Sequence, residues 1–361
     1  MRTLGAIKDP VFVKPEKYGA FDQFWLNKIR DERDLPFIYL TLKITFIMIP
    51  VGLALYFPLP SLVWWTLAIF YFYMNNFSFK GPFGLMLHCT SHRKFFKRKY
   101  QFFNRYLPWV VAPFFGQTPE TYSSHHLGMH HLENNLEEDE STTMYYQRDS
   151  LGSFMKYFGN FFFFGVLTTI RYFHKKNRNK FRNKVIRGEV VFFIACGLLS
   201  IISFKATFWV FLLPFLISRL VMMMGNFAQH SFVDYDDPGN CYKNSITCIN
   251  TPYNKKCWND GYHIDHHLRP AMHWTNYPKH FREHLDEFAK NKALVFENLD
   301  FLKVWWLLMN KKYDKLADHV VNVKGMFNSE QEAINLMKAR TRKMPKRGIT
   351  MENYEIKVAT A

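Results

Sequence analysis

The sequence predicts an all-α integral membrane fold: two transmembrane helical hairpins, four spans in all, with a cytoplasmic helical cap. Three observations carry the prediction. Long apolar stretches come in two close pairs. Basic residues avoid the turns within those pairs and crowd the segments around them. Ten of the 15 histidines gather in four short groups on the one side that the basic residues mark.

Composition sets the bounds. A chain of 361 residues makes one large domain or two small ones. Aromatic residues are 18% of it, with 38 Phe and 9 Trp, a high share for a soluble protein. The net charge is +17 and the pI about 9.5. Such a basic excess fits nucleic acid, an anionic membrane surface or an acidic partner protein. Five cysteines without a C-x-x-C spacing argue against a disulfide framework and against a thiolate metal site. The N-terminus is polar and charged through Arg33, unlike a cleaved signal peptide.

The first apolar stretch is Phe37–Phe57, interrupted by Lys43 and Pro50. The second, Ser61–Tyr73, continues less purely to Phe79. The third and fourth are Val190–Phe204 and Thr207–Met224. Crossing a bilayer takes roughly 20 apolar residues. The first and fourth stretches come close to this, and the second and third reach it with polar ends. The turns fall at Pro58-Leu59-Pro60 and at Lys205-Ala206. The segment 80–187 carries 17 Lys and Arg, whereas the two turns share one lysine. The positive-inside rule then puts the N-terminus, the middle segment and the C-terminal third in the cytoplasm. The basic charge reads as attraction to a membrane surface and docking of an acidic protein, which excludes nucleic acid as the partner. Residues 1–36 form a cytoplasmic segment, 37–302 the membrane domain and 303–344 a helical extension. Two weaker stretches, Tyr106–Phe115 and Phe154–Ile170, read as helices lying in the interface. Ser329-x-x-Glu332 is a capping box before a helix over Ala333–Met344, and 345–361 reads as a disordered tail.

The histidine groups come next. His88 and His92 are i, i+4 and share a helix face. His126 and His130 repeat that spacing, with His131 beside them. His263 and His266 are i, i+3, followed by His267. Asn226-x3-His230 ends the fourth stretch. Neutral imidazole is the commonest metal ligand. Eight or nine rings exceed the four ligands usual for one zinc, so two metals of four or five ligands each is the natural count. Imidazole alone leaves Zn, Cu, Fe and Ni open. Asp265 lies inside a histidine group and is expected to orient a ring from behind. The acidic run 137–140 reads as a solvated face, and His174, His280, His284 and His319 read as surface residues. His273 is held outside the ligand set.

H-x3-H, H-x3-HH and H-x2-HH, in that order and separated by helical hairpins, resemble the histidine boxes of the membrane fatty acid desaturase and hydroxylase superfamily. The resemblance covers Phe37 to Leu302. Asn226-x3-His230 is similar to an element of the stearoyl-coenzyme A desaturases, in which the histidine is a ninth ligand and the asparagine reaches a metal through water. The stretch Leu268-Arg269-Pro270, His273-Trp274 and Tyr277-Pro278 is similar to the one that follows the third box. One departure stands out. The second box is H-x3-HH here and H-x2-HH in that subgroup, which leaves His125 as an alternative to His126.

The resemblance implies two non-haem iron ions held by His88, His92, His126, His130, His131, His230, His263, His266 and His267, with Asn226 acting through water. It implies O2-dependent oxidation of a lipid acyl chain, with desaturation first. Hydroxylation or ketone formation on a lipid, alkane or carotenoid is the alternative at the same site, and a non-enzymatic metal-binding membrane protein is a third reading. No His-Pro-Gly-Gly haem motif occurs, so the two electrons are expected from a separate donor, a b-type cytochrome or a ferredoxin. The third box opens with His263 where the front-end desaturases have Gln. The expected location is the endoplasmic reticulum in a eukaryote or the inner membrane in a bacterium.

Overall fold

A computed structural model describes residues 1–354. The described residues are mostly helical, with one parallel pair of three-residue strands among them, β1 (Thr247–Ile249) and β2 (Val295–Glu297). It divides into two compact units. One, the hairpin unit, holds 12–125 and 176–220. The other, the histidine unit, holds 1–11, 126–175 and, among the described residues, 221–354.

In the hairpin unit the first helix is Glu32–Ala54. Pro36 lies in its opening turn, where the missing N–H costs nothing. Pro50 lies deeper, and residues 44–48 widen to i→i+5 bonding just before it, which accommodates the lost donor. The chain returns through a helical run over 61–92. Three contacts fix an antiparallel register. Trp64 Nε1 donates to the Leu55 carbonyl at 2.8 Å, Asn75 Nδ2 lies 3.9 Å from Met48 Sδ, and Thr41 Oγ1 lies 3.8 Å from Met86 Sδ.

The second hairpin is one continuous helical path, Asn179–Gln229, but it is not straight. Ser203 leaves helical geometry at φ −158°, ψ 102°. Its hydroxyl then caps the next helix, accepting the Ala206 N–H at 3.2 Å. Arg219 reaches Glu189 at 3.4 Å although they are 30 residues apart; a straight helix would separate them by about 45 Å. Phe215 stacks on Phe192 at 5.7 Å between centroids. The chain therefore folds back at Ser203, two residues before the expected Lys205-Ala206. The two hairpin turns meet: Tyr56 and Thr207 hydroxyls are 2.9 Å apart, and Lys205 Nζ lies 3.5 Å over Trp64.

Among the described residues, two helical segments are long and apolar enough to cross a membrane, Glu32–Ala54 and Asn179–Gln229. The second of these contains the third and fourth predicted stretches. The 61–92 helix falls short because Asn75, Asn76 and Lys80 interrupt its apolar run. The Tyr106–Phe115 stretch is helical from residue 107 to 115. It packs inside the hairpin unit, where Asn75 Nδ2 and the Tyr71 hydroxyl both donate to the Phe114 carbonyl. Gly116 closes this segment at φ +73°, and a Cβ there would lie 2.1 Å from Phe215 N, so only glycine fits.

In the histidine unit, β1 and β2 lie in a core of Phe232, Ile246, Leu294, Phe296, Val304 and Leu308. Met1–Val11 joins it through Arg2 N–H to the Val320 carbonyl, 2.8 Å, and through Asp9, which accepts from Tyr262 at 2.7 Å. The Leu151–Lys175 helix is longer than expected. It buries Phe154, Tyr157, Gly165, Thr169 and Tyr172 along one face and exposes Met155, Phe163, Phe164 and Leu167 on the other. Half of the expected capping box forms: Ser329 Oγ accepts the Glu332 N–H, while the Glu332 carboxylate takes the Asn328 N–H, and the helix runs Glu330–Arg340 rather than Ala333–Met344. Arg148 is fully buried, and its guanidinium donates to the carbonyls of Thr143, Met144, Tyr146, Ser231, Arg340 and Arg342. It ties the end of the C-terminal helix to the segment after His230. Part of the expected disordered tail is placed. Arg347 and Ile349 donate their N–H groups to Glu137 at 2.7 and 3.0 Å, and Ile349, Met351 and Tyr354 pack on Leu136, Met144, Val233 and Met344. Residues 355–361 lie outside the described part.

Candidate metal centre

Within the histidine unit seven of the nine predicted rings form two clusters. The first is His130, His230, His263 and His267, all buried, with potential donor atoms within 4.8 Å of one another. His263 Nε2 lies 3.2 Å from His230 Nε2 and 3.1 Å from His267 Nε2. The second is His126, His131 and His266. His131 Nε2 lies 2.9 Å from His126 Nε2 and 2.8 Å from His266 Nε2. Metal–imidazole bonds near 2.0–2.1 Å, at angles of 90–110°, place ligand nitrogens about 2.9–3.4 Å apart. The observed spacings fall in or near that band.

Hydrogen bonding decides what those nitrogens carry. His130 Nδ1 faces Asp139 Oδ2 at 2.7 Å. His230 Nδ1 faces the Asn244 carbonyl at 2.9 Å, and His267 Nδ1 faces Asn134 Oδ1 at 3.1 Å. Each partner atom is an acceptor, so each ring keeps its proton on Nδ1 and turns a lone pair at Nε2 toward its neighbours. His230 and His267 both aim lone pairs at His263, and one proton there satisfies only one of them. A cation satisfies all of them. Burial, with His130 alongside, holds His230 down to about 3. Burial, with His263 and His131 alongside, holds His267 well below the ordinary imidazole range. Both rings stay neutral, as a metal ligand must be.

The helix geometry explains how the boxes are divided. His263 and His267 share one face of the helix His263–Leu268 and join the first cluster, while His266 turns to the second. Residues 126–130 form a wide turn with i→i+5 bonding. Such a turn swings position i+5 toward the face of position i, so His126 meets His131 rather than its i+4 partner His130. Wide turns of this kind are frequent at functional sites. The ring that meets His131 is that of His126, in the place left open between His125 and His126. His88 and His92 belong to the hairpin unit, on the last turn of the 61–92 helix, with ring centroids 5.2 Å apart.

Supporting residues differ from expectation. The acidic run is not a solvated face throughout: Asp139 is 1% exposed, and it also accepts the Ser141 N–H and hydroxyl. Asp265 orients a ring, but that ring is His280, at 2.6 Å. His280 was expected at the surface and is 5% exposed. Burial pushes the Asp265 carboxyl up to about 6 against the pull of His280. His284 stacks on His280, and His319 Nδ1 faces the Glu297 carbonyl at 2.7 Å. His273 is buried and accepts the Thr275 N–H, capping a turn. Asn226 Nδ2 donates to the Ser141 carbonyl at 3.0 Å and the Tyr157 hydroxyl at 2.6 Å. Tyr277, expected only as part of the stretch after the third box, places its hydroxyl 3.0 Å from His266 Nδ1.

The donor set therefore fits metal: neutral imidazoles converge, and acceptors behind them fix the tautomer. A model of the fatty acid desaturase family matches residues 62–298, about two thirds of the chain. No curated protein and no solved structure matches it. The matched range contains all three histidine boxes and both clusters, and the chain belongs to the fatty acid desaturase family.

Proposed function

We propose that the chain is a multi-pass membrane desaturase that introduces a double bond into a fatty-acyl chain with O2 and two electrons from a separate donor. The observation that carries this reading is the convergence of imidazole Nε2 atoms at 2.8–3.2 Å, in two clusters, within a desaturase-family chain. One iron ion would sit among His130, His230, His263 and His267. The other would sit among His126, His131 and His266, with His88 and His92 completing its shell. The i, i+4 placement of those two rings supports their inclusion. Asn226 would reach the centre through water, its amide nitrogen being held by Ser141 and Tyr157.

The iron pair would supply an O2-derived oxidant strong enough to take hydrogen from an unactivated methylene, which no side chain provides. The balance is one saturated CH2–CH2 unit, O2, two electrons and two protons giving one double bond and two waters. Asp139, Asn244, Asn134 and Tyr277 hold rings in orientation, and the apolar hairpins would guide the acyl chain. The spans would number four, with the metal site on the cytoplasmic side, in the endoplasmic reticulum or a bacterial inner membrane. The basic surface suits an acidic donor such as a b-type cytochrome or a ferredoxin.

Lipid profiling of a host with and without the expressed chain tests the reaction. A new double bond at one acyl position is the expected product. A retained oxygen would assign hydroxylation instead, and unchanged lipids in iron-replete, aerated cells would overturn the reading.

A further inference from the structure

The short segment that follows the first histidine pair reads KFFKRKYQFFNR over 94–105. It carries Lys94, Lys97, Arg98, Lys99 and Arg105, all exposed, and no carboxylate. Phe102 and Phe103 are 71% and 51% exposed. Across from them the helix Ala20–Leu26 exposes Phe21 and Phe24. These side chains stand on a fixed backbone. Arg30 N–H donates to the Phe95 carbonyl at 2.9 Å, and Lys97 N–H to the Lys28 carbonyl at 2.8 Å. Phe95 packs edge-on to Phe37, and Phe103 meets Phe96 at 5.7 Å. Lys28 Nζ sits 3.2 Å over Phe24. The nearby carboxylates have partners of their own: Asp31 pairs with Arg33 and Arg93, Glu32 pairs with Lys14, and Asp22 accepts the Tyr39 hydroxyl.

The pairing of 28–30 with 95–97 continues the antiparallel register of the first hairpin, set higher up by Met48 with Asn75 and Thr41 with Met86. The segment therefore lies at the foot of that hairpin, opposite its turn, where both helices leave their apolar stretches. Aromatic rings beside basic side chains at that level match a lipid headgroup layer, with rings in the acyl boundary and cations among anionic phosphates.

We propose that residues 94–105, with Phe21 and Phe24, form a collar that seats in an anionic lipid leaflet and selects anionic over zwitterionic headgroups. This rests on the membrane-spanning reading. The five cations without a free carboxylate among them favour anionic lipid, and the exposed phenylalanines favour a surface that takes them in.

The full chain, reconstituted in nanodiscs of phosphatidylcholine with or without phosphatidylserine, provides the test. Spin-labelled phosphatidylserine should associate with the protein several-fold more than spin-labelled phosphatidylcholine. K97E/R98E/K99E should bring that ratio close to one. A fluorophore on F102C should be quenched by nitroxide lipids of shallow depth, more strongly with phosphatidylserine present. A ratio unchanged in the triple variant, or a label at position 102 that stays in water, would overturn the collar. Protection of that label only on adding an acidic protein would also overturn it. A second label, on I194C, separates the two ideas. Deep quenching there with none at 102 rejects the collar alone, and no quenching at 194 rejects the spanning reading.

Discussion

Consider Asp139→Asn, which changes one atom and no volume. Asp139 Oδ1 accepts the Ser141 N–H and hydroxyl at 2.8 and 2.6 Å, and an asparagine oxygen keeps both. Oδ2 accepts His130 Nδ1 at 2.7 Å and the Asn135 N–H at 3.2 Å. In the variant an NH2 group faces those two donors. His130 then has two options. It moves its proton to Nε2 and loses the lone pair that the first cluster needs, or it keeps the tautomer with a buried N–H unsatisfied. An unsatisfied buried donor costs about 1–3 kcal/mol. Loss of a partner behind a metal-ligating histidine typically costs about 10–100-fold in metal affinity, which spans a similar energy. We predict a loss of that size at the first cluster and little change at His126, His131 and His266. Chelator competition on purified protein, with iron counted by mass spectrometry, reads both sites, and near-ultraviolet circular dichroism checks the fold. Wild-type affinity in the variant would refute the role given to Asp139. Equal loss from both clusters in a folded protein would refute the local mechanism.

Three further outcomes are expected. His266→Ala abolishes lipid oxidation while membrane insertion, followed by carbonate extraction, stays intact; retained activity would remove His266 from the ligand set. Asn226→Ala lowers turnover less than His230→Ala does, because a water-mediated contact is lost in one and a ring in the other; equal defects would contradict the role of water. Glu137 is pushed up by burial but brought below the ordinary carboxylate range by the N–H groups of Ile349 and Arg347 and by Tyr145. A depressed carboxyl stabilises the folded state above its unfolded pKa, near 4.3. Amide exchange in 345–354 should therefore be slow from neutral pH down to about pH 4 and speed up below it. In Glu137→Ala it should be fast throughout, and pH-independent protection would break the link.

Much of this was legible in the sequence because its signals are local. The boxes, the Ser329 cap and the hairpins depend on spacing along one helix or on one apolar run. The turn at Ser203 was displaced by two residues because a capping hydroxyl, not the lysine, set it. What stayed hidden was non-local. Asp139 looked like one of four solvated acids, since nothing in the run 137–140 tells which carboxylate the chain folds inward. His280 looked like a surface histidine among charges, and only burial beside Asp265 gives it a partner. The division of the second box needs the wide turn at 126–130, which no side-chain pattern announces. The tail after 345 mixes charged, polar and apolar residues, yet Ile349, Met351 and Tyr354 find an apolar floor that includes the distant Leu136, Met144 and Val233.

Iron analysis of the full chain, purified from iron-replete cells, bears most directly on the central claim. Two irons per chain are expected, each with an X-ray absorption spectrum dominated by imidazole nitrogen, and stepwise loss when His130 and His131 are replaced in turn. A protein that carries no iron, or that holds it unchanged without those rings, would contradict it.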